Sequence, residues 1–231
     1  MPKVIFNDHI IHYVHQKNRR LKNIYIKIEK DKTILLKSPG ISEEEATKIL
    51  LKKGNWILKK LSAITNLIPA EITSGSIISC YDKNYLVEIN RDPTIEGVKL
   101  SKSNEKLKFN LNPKIDEKLA IKLLLDKFYK SKSLEFIPER LEYWSKKTGL
   151  LYDELKFRKM KRQWGNCSFH NTITINSKAS ILKPEQLDYL LVHELCHTKV
   201  KNHSKKFWQE VEKHLPNYKE LDKSLKQYQL D

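Results

Sequence analysis

Five residues, His193-Glu194-Leu195-Cys196-His197, constrain this chain more than any other feature. On an α-helix, residues four apart stand one above the other on the same face. His193 and His197 then point the same way. Glu194 sits about 100° round the helix, able to reach a metal-bound water without being a ligand itself. A third histidine, His203, follows six residues later. Three neutral imidazoles can hold one zinc ion and leave its fourth position open, as a catalytic rather than a structural site requires. The pattern implies a metal-dependent hydrolase, most often a protease, with Glu194 as general base.

The flanking residues favour a buried helix over a solvated face that happens to carry histidines. Lys183-Pro184-Glu185 is a helix start, with proline in the first turn and an acid beside the N-terminal dipole. Leu187, Leu191 and Leu195 form a stripe away from the histidines. For His203 to join, the helix must end after His197 and the chain must turn back. Val200, where similar proteases often place glycine, resists positive φ. Asn202 tolerates it, so the turn is expected there.

Residues 1–112 read as a β-rich region with one helix, and residues 113–231 as a helical region that holds the His193–His197 run, giving an α+β fold. Strands are expected at 10–14, 24–28 and 33–36, with a turn at Lys30-Asp31-Lys32 and a stop at Ser38-Pro39-Gly40. Ser42 and Glu45 have the spacing of a capping box opening a helix to about Leu61. Cys80-Tyr81 and residues 85–89 suggest a hairpin, and 106–110 another strand. A long helix from Asp116 to Thr148 should kink or break before Pro138 and end at Gly149. Residues 156–160 and 172–176 read as an antiparallel hairpin ahead of the histidine helix. No internal repeat or low-complexity tract is visible. His9, His12 and His15 step by three but lie on a strand, and read as ordinary histidines.

No stretch of about 18 apolar residues exists, so no membrane span is expected. The N-terminus lacks the features of a signal peptide. Cys80, Cys167 and Cys196 are odd in number and widely spaced, which suggests free thiols in a reducing, cytoplasmic setting. The formal charge of +16 favours acidic partners such as DNA or another polyanion. Lysine spread along the chain also produces such a charge without any nucleic-acid role.

Longer motifs surround the histidines. They are Arg158-x-x-Lys161-Arg162-x-Trp164-Gly165-Asn166-Cys167-Ser168, Ile173-Thr174-Ile175-Asn176, Leu187-Asp188-Tyr189-x-x-Val192-His193-Glu194-Leu195-x-His197, Asn202-His203-Ser204-x-x-Phe207-Trp208 and Pro216-Asn217-Tyr218-Lys219. Together they resemble the YgjP-like metallopeptidase family, which is similar to the SprT-like and Wss1-like zincins. The N-terminal strands and Trp56-Ile57 fit the family's usual first half. Asn166 departs from the serine common at its position.

The resemblance implies zinc on His193, His197 and His203, Glu194 as general base, and a peptide or protein substrate. The alternative it leaves open is a DNA-associated protease or nucleic-acid-binding module; a third reading is a zinc site without turnover. Thr172 to Asn176 could pair with an extended substrate as an edge strand, or be purely structural. Arg162 and Tyr218 could stabilise an oxyanion. Trp164 and Trp208 read as core. His214 is a reserve ligand, and Asp188 or Glu212 could orient a ligand histidine.

Overall fold

The structure, a computed structural model, describes residues 2–29, 32–63 and 71–228. The expected turn at Lys30-Asp31 therefore falls outside the described residues. The chain forms two compact units, Met1–Asn66 and Leu67–Asp231.

In the first unit, β1 (Lys3–Phe6), β2 (His9–Lys17), β3 (Tyr25–Ile28) and β4 (Ile34–Ser38) form one sheet in the order β1-β2-β4-β3. β2 and β4 are parallel; the other neighbours are antiparallel. Val4, Ile11, Tyr13, Ile34 and Leu36 alternate onto one face, as the period of two demands. α1 (Glu43–Lys52) covers that face with Ala46 and Leu50. Its start is the expected capping box, with Ser42 accepting from the Glu45 amide and Glu45 from the Ser42 amide. The expected single helix is two, because Lys53 ends α1 and α2 (Gly54–Ala63) follows. Gly54 lies so close to the Phe6 ring that a Cβ would meet it at 2.4 Å.

The second unit opens with β5 (Ile77–Cys80), β6 (Lys83–Arg91), β7 (Val98–Ser103) and β8 (Lys106–Leu111), in the order β5-β6-β8-β7. This sheet repeats the first. Strand starts at 3 and 9 recur at 77 and 83, and the cap Ser42 recurs as Asp116, each 74 residues on. The one parallel and two antiparallel pairings recur. Tyr13 beside Ile34 becomes Val87 beside Leu107, and the buried Ala46 and Leu50 become Ala120 and Leu124. The strands keep only apolar character at these sites, so the repeat shows in the letters only along the helices, where Ala46, Lys48, Leu50 and Leu51 recur as Ala120, Lys122, Leu124 and Leu125. The burial sequence along the two nine-residue strands β2 and β6 is identical.

α3 (Glu117–Thr148) follows, capped by the Asp116 side chain and ended by left-handed Gly149. Pro138 lies inside it without breaking it. The carbonyl that loses its donor there is that of Leu134, a half-exposed residue at the surface. A three-stranded sheet comes next: β9 (Glu154–Arg158), β10 (Gly165–Cys167) and β11 (Thr172–Asn176), ordered β10-β11-β9. Two expectations change here. β9 runs parallel to β11, so residues 156–160 and 172–176 are not a hairpin; the antiparallel partner of β11 is β10. β11 is therefore the middle strand, with both edges taken, and cannot accept a substrate strand. The long connection after β9 let a short third strand enter the ladder.

α4 (Pro184–Lys199), α5 (Lys205–His214) and α6 (Tyr218–Leu225) complete the unit. Leu187, Leu191 and Leu195 are fully buried, each contributing roughly 1.5–3 kcal/mol. The sheet β5–β8 shares one core with α3 and α4. Residue 112 falls between β8 and α3, and the compact units part between residues 66 and 67. Among the described residues no helix is long and apolar enough to cross a membrane.

Candidate metal centre

α4 presents His193 and His197 on one face, one turn apart. Its first turn is fixed by Pro184 and by the Gln186 side chain, which accepts from the Lys183 amide. His203 comes back to meet them. Its Nε2 lies 3.1 Å from that of His193 and 3.2 Å from that of His197. A tetrahedral ion bonded at about 2.0–2.1 Å holds its ligand atoms about 3.3–3.4 Å apart. The three nitrogens thus fit one small divalent ion. Among the described residues, these three histidines are the group able to hold a metal.

The return of His203 does not use a left-handed residue. Val200 ends α4 in extended geometry, and Asn202 has no positive φ. Side-chain ties hold the loop. Lys201 Nζ donates to the Ser168 carbonyl (2.8 Å) and to Asn171 Oδ1 (2.5 Å), in the turn between β10 and β11. Asn202 Oδ1 accepts from the Ser204 amide. Three fixed points on the loop do the work that a glycine would otherwise do.

The second nitrogens of the α4 histidines are also engaged. His197 Nδ1 donates to the Val200 carbonyl at 3.0 Å, which leaves Nε2 as the lone-pair side. His193 Nδ1 lies 3.3 Å from the Tyr189 hydroxyl, which donates to Asp222 Oδ1 at 2.9 Å. Tyr189 spends its proton on Asp222, so it accepts from His193 and fixes that tautomer as well. Burial, with the neighbouring imidazoles His197 and His203, pushes the His193 pKa down to about 3. Burial also lowers His197, against the opposing pull of the Val200 carbonyl. Both are therefore neutral at neutral pH, the form that binds metal. Phe207 stacks on His197 at 4.2 Å, and Trp208 on His203 at 5.6 Å.

Glu194 is 4% exposed, and burial pushes its carboxyl up to about 8. The backbone of β10 lies directly against it. A Cβ on Gly165 would stand 2.7 Å from Glu194 Oε1. Among the described residues β10 pairs on one side only, with β11.

Several expected helpers lie elsewhere. Asp188 is held by Arg140 in a two-pronged pair, at 2.6 and 2.5 Å, and Glu212 faces Lys219. The residue that orients His193 is Asp222, acting through Tyr189. His214 sits beside Glu210 at 3.4 Å and outside the triad. Arg162 is exposed, and Tyr218 stacks flat on Trp208 at 5.4 Å. Trp164 is buried as expected, while Trp208 is half-buried against His203. Cys196 is buried, its thiol pushed up to about 12 by burial, and takes no part. Of the residues missed, Tyr189 was detectable: it lies one turn before His193 on the same face. The roles of Gly165 and Lys201 depend on contacts across 29 and 30 or more residues and left no local signal.

A family described as YgjP-like, metallopeptidase domain, matches residues 22–228. No curated protein matches. Among solved structures, the chain is similar to the metallopeptidase zymogen abylysin of Pyrococcus abyssi. The two are 31% identical over 39% of this chain and 91% of that one, with a TM-score of 0.37. It is also similar to the metallopeptidase zymogen jannalysin of Methanocaldococcus jannaschii, at 24% identity over 39% and 94%, with a TM-score of 0.35.

Proposed function

The chain belongs to the YgjP-like metallopeptidase family, and from that premise we propose that it is a zinc peptidase whose ion is held by His193, His197 and His203, with Glu194 as general base. The observation that carries the reading is the convergence of three imidazole nitrogens, with the buried Glu194 next to His193 on the same helix. The catalytic region is assigned to residues 113–231.

When bound, zinc supplies a Lewis acid that acidifies water and polarises the peptide carbonyl. The chain's residues supply the rest. Glu194 is ionised in the loaded site, because a neighbouring cation favours the carboxylate. It takes a proton from the attacking water and returns it to the leaving amine. Gly165 leaves the carboxylate room to do so. The Tyr189–Asp222 pair and the Val200 carbonyl hold the two helix histidines in the binding tautomer. The unpaired edge of β10 offers backbone groups to an extended peptide, a place the central strand β11 cannot fill. Cys80, Cys167 and Cys196 are free thiols, which fits a reducing, cytoplasmic location.

The test is Glu194→Gln. It should keep stoichiometric zinc by elemental analysis and lose at least about 100-fold in cleavage of unfolded protein. Undiminished cleavage would remove Glu194 from its role. His197→Ala should lose the metal as well.

A further inference from the structure

The two repeated sheets carry different charge on one scaffold. At the end where β2 leaves and β3 enters, the first sheet has Lys17, Arg19, Arg20 and Lys22, all exposed. Lys37 and the half-exposed Tyr25 are register partners at the same end. No acidic residue occurs from 16 to 28. Glu43, Glu44 and Glu45 open α1 at this same end, five residues beyond Ser38, whose carbonyl accepts from the Asn18 amide, and α1 covers the other face.

The second sheet shows what the fold itself requires at this place. Residues 74 positions on read Arg91-Asp92-Pro93-Thr94-Ile95-Glu96, and Lys99 stands for Tyr25. Arg91 is paired with Glu117 at 2.8 Å. Glu43 stands 74 residues before Glu117 and offers the first sheet the same acid, but among the described residues no ion pair joins it to Lys17. Apart from that acid, two bases and two acids cancel in the second sheet, while the first carries five bases (Lys17, Arg19, Arg20, Lys22 and Lys37) and no acid at these positions. On the second sheet's uncovered face, Lys106 and Lys108 are also matched, by Glu88. Among the described residues, Lys17, Arg19, Arg20 and Lys22 have no ion-pair partner.

The topology therefore does not need this cluster, and its mutual repulsion works against folding. We propose that this end of the first sheet binds the phosphodiester backbone of nucleic acid. Five cations offer counterion release, and the Tyr25 ring offers a face on which a base can stack. The surface is separate in chemistry from the histidine site and stands or falls independently of the peptidase reading.

The experiment uses the full chain and a fluorescein-labelled, mixed-sequence oligonucleotide of about 20 nucleotides, as DNA and as RNA, read by anisotropy. Affinity should fall about 100-fold from about 50 to about 200 mM salt, for a slope near −0.7 per cation engaged. Combined Lys17→Gln, Arg19→Gln, Arg20→Gln and Lys22→Gln should abolish most of that binding. The smaller pair Arg19→Gln with Arg20→Gln, both exposed, should lower the slope by about 1 to 1.5. Combined Lys99→Gln, Lys102→Gln, Lys106→Gln and Lys108→Gln removes as much charge from the second sheet and should leave affinity within about threefold. A chelator should change nothing. Equal losses in the two sheets would reduce the effect to diffuse charge and overturn the proposal. So would absence of oligonucleotide binding at low salt, or binding to anionic lipid vesicles in its place.

Discussion

Gly165 and Glu194 compete for the same space: the position of a Cβ on Gly165 lies 2.7 Å from Glu194 Oε1 and 2.9 Å from its Cγ. A strand and a helix therefore meet at the carboxylate with no room for even a methyl group. Gly165→Ala should displace Glu194 and leave the histidines in place. We expect kcat/KM to fall about 100-fold, since a shift of about 1 Å at a reacting group has that effect, with zinc content unchanged. Elemental analysis and a cleavage assay on the same sample check this; lost metal with retained activity per ion would contradict it.

Tyr189 connects His193 to Asp222. Tyr189→Phe removes the link and keeps the ring, and Asp222→Asn removes the terminal charge. Each should weaken zinc binding about 10- to 100-fold. Chelator competition gives the affinity, and matched melting curves of the metal-free forms separate this from unfolding. Wild-type affinity in both variants would leave His193 oriented by something else.

Lys201 anchors the loop that carries His203. Lys201→Met keeps the length of the chain and drops its donors. The predicted result is a metal affinity about tenfold weaker, through a less ordered third ligand, with His197 still bonded to the Val200 carbonyl. A crystal structure or histidine NMR of the variant would show whether the loop has loosened.

Asp126 accepts from Lys159 at 2.7 Å and pairs with Lys178 at 2.6 Å. Burial alone would raise its pKa, but the two lysines outweigh burial and hold it below the usual value. The folded state thus binds the proton less readily than the unfolded state. The stabilisation is present above the unfolded pKa of about 3.9 and is lost as pH falls through the lower, folded value. Asp126→Asn should lower stability by about 1–3 kcal/mol at pH 7. In urea titrations across pH, wild type and variant should converge only in acid. A gap that persists at the lowest pH would assign the effect to packing.

Much of the site was legible because its signals are local. His193, Glu194 and His197 lie within two turns of one helix, so spacing alone places them on neighbouring faces. The caps Ser42 and Asp116, the stop at Gly149 and the stripe Leu187, Leu191 and Leu195 follow from short-range rules. The strand ladder was harder. A run such as Thr172–Asn176 announces a strand but not its neighbours, and the short Gly165–Cys167 segment carries too few residues to show alternation. Along the strands the repeat was hidden for a related reason: Tyr13 and Val87 occupy one structural position, yet share only the property of being buried.

The sequence by itself determined that His193, Glu194 and His197 lie on neighbouring faces of one helix, where that helix starts, and the charge of the Lys17–Lys22 segment. Each is a property of residues within a few turns of one another. Tertiary structure decided which carboxylate steadies His193, which strand edge stands open beside Glu194, how His203 returns without a glycine, and that one cation cluster has no counterpart in its sister sheet. Those outcomes come from contacts between distant segments, whose geometry is set by packing and ladder pairing over the whole unit and not by local preference.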